Sequence, residues 1–318
     1  MSKLITVAQA AKELKKADNI LILTHAYPDG DTLGSGYALC RALHKMGKSA
    51  RVECSDIIPD KYRFMFEDMG PAEDFEPEYL CAVDVADSLL LGDKLKTYAE
   101  SVDLCIDHHG SNTRYAKKLV LIPEYSAAAM IIAEIINALG VKIDSGIAAC
   151  IYTGIATDTG CFKYSNTTSY AMRMAADMLD YGINCEMINR TMFDIKSRAR
   201  IELERMALGS MRFYLNDRCA IMLITHEMIE KSGAGEEDLE GLAPIPRQIE
   251  GVHVGVTMRE RQDGTYKVSI RTDNRADASS ICSILGGGGH VRAAGCTVSG
   301  PTERAVKTIV EAVHSVID

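Results

Sequence analysis

Three short apolar runs constrain this chain more than any other feature. Residues 19–23, 79–83 and 102–106 are strand-length and largely apolar without clean alternation, the pattern of strands buried on both faces. Segments with helical spacing lie among them, at 6–16, 33–46, 127–139 and 147–155, and further strands are expected at 50–54 and 119–122. Strands alternating with helices at this interval predict an α/β domain with a mostly parallel sheet and helices on both faces. All three runs end in chemistry. The first leads into Thr24-His25-Ala26-Tyr27-Pro28-Asp29-Gly30-Asp31, the second into Asp84 and Asp87, and the third into Asp107-His108-His109. Open α/β sheets bind ligands beyond the carboxyl ends of their strands, and the helix at 147–155 runs on to Asp158.

The texture changes in the last third. Residues 167–208 read as helical, and the charged stretch 194–204 reads as an exposed connecting helix. Alternating or β-branched strands follow at 211–214, 219–223, 252–257 and 266–271, then helices at 277–285 and 303–316. The expected domains are a catalytic metal-binding domain at 1–190, a helical linker at 191–213 and a smaller mixed α/β substrate-binding domain at 214–318.

Charge narrows the function classes. The formal net charge is −9, spread over both halves of the chain. Such a balance lacks the broad basic face of a long nucleic-acid track, and the absence of tryptophan argues against an extended base-stacking platform. A small anionic substrate held by a few local cations remains. The ten cysteines contain no C-x-x-C pair, so neither a disulfide framework nor a thiolate zinc site is expected. No apolar run is long enough to span a bilayer, and residues 1–6 lack a signal-peptide core, which predicts a cytoplasmic protein.

The ordered set of His25-Ala26-Tyr27-Pro28-Asp29-Gly30-Asp31, Val83-Asp84-Val85-Ala86-Asp87, Asp107-His108-His109 and Asp158 resembles the DHH phosphoesterases. Gly286-Gly287-Gly288-Gly289-His290 is similar to the glycine-rich signature of the DHH-associated C-terminal domain. The likeness covers nearly the whole chain. Its compact length and the run from Ala156 to Thr167 most resemble the nanoRNase and 3′-phosphoadenosine-5′-phosphate phosphatase subgroup. The resemblance implies two manganese ions per site, one held by His25, Asp29 and Asp84, the other by Asp31, Asp84, His108 and Asp158, with Asp84 shared. Magnesium or cobalt are the alternatives. Carboxylate oxygens suit hard divalent ions, and imidazole tilts the choice towards manganese.

Other residues invite narrower expectations. Pro-Asp-Gly is also a turn signal, so Asp29 has a structural reading. Asp84 and Asp87 have readings as helix caps. Asp107 is expected to orient a histidine, and His109 to contact phosphate or polarise the leaving oxygen. Asn112 and Arg114 lie in the same loop, within expected reach of substrate. In the second domain, Arg271 resembles the family's substrate-binding arginine, and a guanidinium suits phosphate bidentately. The backbone of Gly287, Gly288 and Gly289 is expected to form an anion nest, with His290 on a terminal phosphate. Thr272 departs from the serine common at that position, and Asp273-Asn274-Arg275 follows it, leaving the fine preference open.

These readings converge on a metal-dependent phosphohydrolase. Its expected substrates are short oligoribonucleotides, linear dinucleotides or a nucleoside bisphosphate; a homodimer is left open. The alternatives are a cyclic or linear dinucleotide phosphodiesterase, a RecJ-like single-strand exonuclease, an inorganic pyrophosphatase or polyphosphatase, and a non-catalytic nucleotide sensor. A decayed sensor would be expected to have lost one of the six metal ligands, and all six are present.

Overall fold

The computed structural model describes residues 2–71, 74–239 and 241–317. The chain divides into two compact units, Met1–Ile195 and Lys196–Asp318. In the first, the elements are β1 (Lys3–Leu4), α1 (Val7–Lys16), β2 (Ile20–Leu23), α2 (Gly30–Lys45), β3 (Ala50–Glu53), β4 (Tyr79–Val83), the short α3 (Gly92–Leu95), β5 (Leu104–Asp107), β6 (Lys118–Leu121), α4 (Ala128–Leu139), α5 (Ser145–Asp158), α6 (Ser169–Leu179) and α7 (Cys185–Asn189). The six strands form one parallel sheet in the order β1-β6-β5-β4-β2-β3. From β2 the chain moves outward to β3, then returns to place β4 on the other side of β2. That reversal is a topological switch point, where diverging connections open a crevice at the carboxyl ends.

Both faces of this sheet are buried, as the unbroken apolar runs require. Ile20, Ile22, Val83 and Ile106 point into a large core shared with α1, α2, α4 and α5. Leu21, Leu23, Ala82 and Cys105 point the other way, against Leu91, Leu95 and Val102, so the cover there comes from α3 and short turns. Helix α4 is apolar nearly all round because it packs against α1, α2 and α5. The two-residue strand β1 is too short to leave a sequence pattern.

The second unit contains α8 (Arg198–Gly209), β7 (Arg212–Tyr214), β8 (Cys219–Ile224), α9 (His226–Ser232), β9 (Val254–Glu260), β10 (Thr265–Thr272), α10 (Ala278–Ile284), β11 (Gly288–His290), β12 (Ala293–Ser299) and α11 (Thr302–His314). Its mixed sheet runs β11-β12-β10-β9-β8-β7, with only the β8–β9 pair parallel. Val254, Val256, Val268 and Ile270 bury against α10 and α11. The segment expected to be an exposed connection is corrected here. Helix α8 buries Leu203 and Ala207 with Met222, Ile224 and Leu242, so an apolar stripe runs beneath its charges. The glycine run also differs from expectation: it leads into a hairpin, with β11 and the unforeseen β12 paired from Gly288–Gly295 to His290–Ala293.

Helices α2 and α5 touch through glycine. A Cβ on Gly34 would lie 2.4 Å from the Cys150 carbonyl oxygen, so neither helix can move apart without opening the core. Gly34→Val is expected to lower unfolding stability by about 1–3 kcal/mol through overpacking. A urea titration checks this; an unchanged midpoint and slope would contradict the close packing.

Candidate metal centre

The crevice at the switch point collects side chains from five places in the chain. His25 and Asp29 follow β2, Asp31 lies in the first turn of α2, Asp84 follows β4, Asp107 to His109 end β5, and Asp158 ends α5. Asp84 is the pivot. Its Oδ2 lies 3.7 Å from His25 Nε2, which is also 3.7 Å from Asp29 Oδ1. Its Oδ1 lies 3.5 Å from His108 Nε2, which is 3.5 Å from Asp158 Oδ2 and 3.8 Å from Asp31 Oδ2. One carboxylate thus faces two ligand-like groups, His25/Asp29 and His108/Asp31/Asp158, in each of which the donor atoms lie within 4.8 Å of one another.

Local structure explains how each side chain arrives there. Asp84 has φ +58°, a conformation uncommon for a non-glycine residue, and its N–H donates to the Ile106 carbonyl at 2.9 Å. Asp29 is the N-cap of α2, accepting from Asp31 N and Thr32 N, so its turn and capping readings hold alongside its place in the cluster. Asp31 is fully buried and accepts from Ala128 N at 2.6 Å and Ala129 N at 2.9 Å. It therefore caps α4, whose own N-cap residue, Ala127, makes no side-chain cap bond. Asp87 caps a short turn by accepting from Leu89 N and stands outside both ligand-like groups.

The histidines are aimed by backbone carbonyls. Nδ1 of His25 lies 2.8 Å from the Ala26 carbonyl oxygen, and Nδ1 of His108 lies 3.1 Å from that of Tyr125. A proton on each Nδ1 leaves each Nε2 lone pair facing the carboxylates, the arrangement that orients metal-ligating histidines. Sequence offers no signal for a carbonyl partner. Asp107 accepts from the N–H groups of His108 and His109 and sits 2.8 Å from His109 Nδ1. Asn112 is buried, and its amide donates to Asp107 Oδ2 at 2.6 Å and to the Val85 carbonyl. That geometry corrects the expectation that Asn112 reaches substrate: its amide is committed to Asp107. Arg114 has φ +57°, and its N–H donates to Asn112 Oδ1.

Electrostatics show what this crowding means. Burial, reinforced by the neighbouring Asp31, pushes the Asp84 carboxyl well above the usual range. Burial also raises Asp31, and burial with Asp31 raises Asp158 to about 8. Burial opposes a charge on His25, yet Asp29 and Asp84 outweigh it and raise the ring to about 11. The hydrogen bond to Asp107 lifts His109 to about 9. Two buried atoms in the cluster, Asp84 Oδ1 and His108 Nε2, have no hydrogen-bond partner among the described residues. A buried polar atom without a partner costs roughly 1–3 kcal/mol. Oxygen and imidazole donors facing one another with unused lone pairs fit divalent cations.

The second unit presents a different surface. Opposed residues in an antiparallel pair share a face, so the registers place Gly255, Arg271, Ala293 and His290 in one row across four strands. The next row is Thr257, Ser269, Gly295 and Gly288. Arg271 and His290 therefore rise, about 10 Å apart in strand spacing, from a floor of small residues. The fold already uses part of the expected anion nest. Gly286 and Gly287 donate to the carbonyls of Ser283 and Cys282, and Gly288 to His290 join the β12 ladder. Gly287 is needed for close approach, since a Cβ there would lie 2.3 Å from the Gly295 carbonyl oxygen.

A parallel-sheet domain with a shared-carboxylate cluster at its switch point is followed by a small mixed-sheet domain. The DHH family N-terminal domain matches residues 19–155 and the DHHA1 domain matches residues 218–318. The chain is 36% identical to the bifunctional oligoribonuclease and PAP phosphatase NrnA of Thermus thermophilus, over 98% of this chain and 94% of that protein. It is 22% identical to the NrnA of Bacillus subtilis, over 88% and 90% of the two chains. The crystal structure of an exopolyphosphatase-related protein from Bacteroides fragilis superposes with TM-score 0.85 at 26% identity, covering 97% of this chain and 95% of the other. The chain belongs to the DHH family of phosphoesterases. No described helix is long and apolar enough to cross a membrane.

Groups that hold protons above neutral pH must release them to ligate a cation. Binding of Mn2+ is therefore expected to release protons at pH 7 and to tighten as pH rises, because Asp29 and Asp84 push His25 up to about 11 and burial beside Asp31 pushes Asp158 up to about 8. Calorimetry in two buffers of different ionisation enthalpy measures the release; equal apparent enthalpies would contradict it. Asp84→Asn is expected to abolish the Mn2+-dependent rise in melting temperature while leaving the metal-free protein at least as stable, since it removes an acid whose ionisation burial and Asp31 both oppose. A parallel loss of metal-free stability would contradict this reading.

Proposed function

We propose that this protein is a manganese-dependent phosphohydrolase that cleaves short oligoribonucleotides to mononucleotides and removes phosphate from 3′-phosphoadenosine-5′-phosphate. The observation that carries the reading is Asp84, whose two oxygens each face a separate histidine–carboxylate group. The names of the NrnA relatives, one of them covering nearly the whole chain, support the substrate class.

His25, Asp29 and Asp84 would hold one cation, and Asp31, Asp84, His108 and Asp158 the other. When bound, the pair supplies charge neutralisation at phosphorus and a lowered pKa for an attacking water. The remaining roles belong to the chain. Asp107 fixes His109 through Nδ1 and keeps it cationic at neutral pH, so His109 donates a proton from Nε2 to the leaving ribose oxygen as the P–O bond breaks. Asn112 acts as a positioning residue by holding Asp107. In the second unit, Arg271 and His290 bind phosphate and base over the small-residue floor, which leaves room for a planar group. Arg114, beside the His108-His109 loop, contributes a further phosphate contact.

The net charge of −9 favours short substrates: a long strand would be repelled wherever it ran past the few local cations. A cyclic or linear dinucleotide phosphodiesterase is the second reading, because the same cation-lined floor accepts any short dinucleotide.

A panel of RNA dimers to decamers, adenosine 3′,5′-bisphosphate, linear and cyclic diadenylate and pyrophosphate, assayed with Mn2+, tests the function. Fastest turnover on dimers and trimers or on the bisphosphate is expected; preference for decamers or pyrophosphate would overturn it. Arg271→Ala is expected to raise KM for a dinucleotide about tenfold or more, through loss of a charge-assisted phosphate contact, with kcat little changed. Equal effects on a generic chromogenic phosphodiester would contradict a substrate-specific role.

A further inference from the structure

Beyond the row that holds Arg271, the same face of the second sheet carries a preorganised cation. Asp273 lies two residues after Arg271 on the chain, and its N–H donates to the His253 carbonyl at 3.1 Å. His253 Nδ1 lies 2.9 Å from Asp273 Oδ2, and its Nε2 lies 2.8 Å from Arg275 Nη1. Asp273 Oδ1 accepts from Arg275 N at 2.9 Å. The ring therefore carries its proton on Nδ1 and accepts from Arg275 on Nε2. His253 and Asp273 are mostly buried, with side chains 13% and 19% exposed, whereas Arg275 is exposed. A surface arginine usually samples many rotamers, and holding it still costs side-chain entropy. Here a mostly buried pair fixes one edge of the guanidinium through the ring Nε2, so the charge is held in place with no carboxylate paired to it among the described residues.

Two further arginines contact the same residue, one at its side chain and one at its backbone. Arg247 approaches Asp273 Oδ2 at 3.9 Å, and its backbone packs on Gly255, beside Arg271 in the sheet. Arg292 donates to the carbonyls of Asp273 and Ala276. Arg247 at the Asp273 carboxylate, Arg292 on its backbone carbonyl and Arg275 on His253 gather three cations on one short stretch of a chain whose net charge is −9.

We propose that Arg275, positioned by His253 and Asp273, is a specificity-determining residue that selects substrates carrying a terminal phosphomonoester. The inference rests on the nucleotide reading above. A phosphomonoester carries nearly two negative charges at pH 7, against one for a diester. A second guanidinium, held on the segment that follows Arg271, discriminates between them, because it adds a charge-assisted bidentate contact that only the doubly charged group fully uses.

The experiment compares diadenylate bearing a 5′-phosphate, a 3′-phosphate or neither, with Mn2+. Wild type is expected to favour a phosphorylated form, and Arg275→Ala to reduce that kcat/KM ratio about tenfold or more. His253→Ala should do the same, whereas His253→Gln, whose amide oxygen can still accept from Arg275, should restore most of the ratio. A ratio unchanged in Arg275→Ala, or equal ratios for His253→Ala and His253→Gln, would overturn the proposal. If wild type cleaves none of the three, the hydrolase reading fails. Calorimetry with adenosine 3′,5′-bisphosphate against adenosine then decides this one: selective weakening in Arg275→Ala supports it, and an unchanged affinity ratio refutes it.

Discussion

Like-charge crowding around Asp84 is the constraint on which the catalytic unit depends. Asp31 and Asp84 are buried, Asp158 and Asp29 lie beside them, and two histidines close the gaps. Without cations such a cluster opposes folding, since burial and mutual repulsion both disfavour the charged forms. The rest of the unit holds it together regardless. Two N–H groups of α4 bind Asp31, the Ala26 and Tyr125 carbonyls lock the histidine rings, and Asn112 with Asp107 braces His109. This is preorganisation: the side chains are set by the fold before any ion arrives, and stability is surrendered locally for chemistry.

The sheet explains why the cluster can be assembled from such distant residues. His25 and Asp84 follow neighbouring strands at the switch point, and Asp107 to His109 end the next strand along. Parallel strands bring all their carboxyl ends to one edge, so residues some 130 positions apart need only occupy equivalent strand or helix ends to meet. Asp31 joins structure to function most directly, because the same carboxylate caps α4 and faces His108.

Much of this was legible in the sequence, and the exceptions have physical causes. The apolar runs at 19–23, 79–83 and 102–106 announced buried parallel strands, and the polar residues after them marked the crevice. Strand β1 was invisible because two residues carry no period. Strand β12, alternating Ala294, Cys296 and Val298 with small or polar residues, was hidden by the glycines before it. Those glycines suggested an anion nest, but two of their N–H groups cap α10 and the others enter a hairpin. Helix α8 looked exposed because its charges outnumber the buried pair Leu203 and Ala207. Asn112 and the carbonyls behind the histidines depend on tertiary placement, which local pattern does not encode. The run Asp273-Asn274-Arg275 stood out only as a departure, and its meaning came from His253, a partner twenty residues away.

The central claim is that Asp84 is shared between two cations. Anomalous diffraction from crystals grown with Mn2+, collected at the manganese edge, tests it most directly. Two peaks are predicted, one among His25, Asp29 and Asp84 and the other among Asp31, Asp84, His108 and Asp158, about 4 Å apart. A single peak away from Asp84, or none with the site well ordered, would contradict the account.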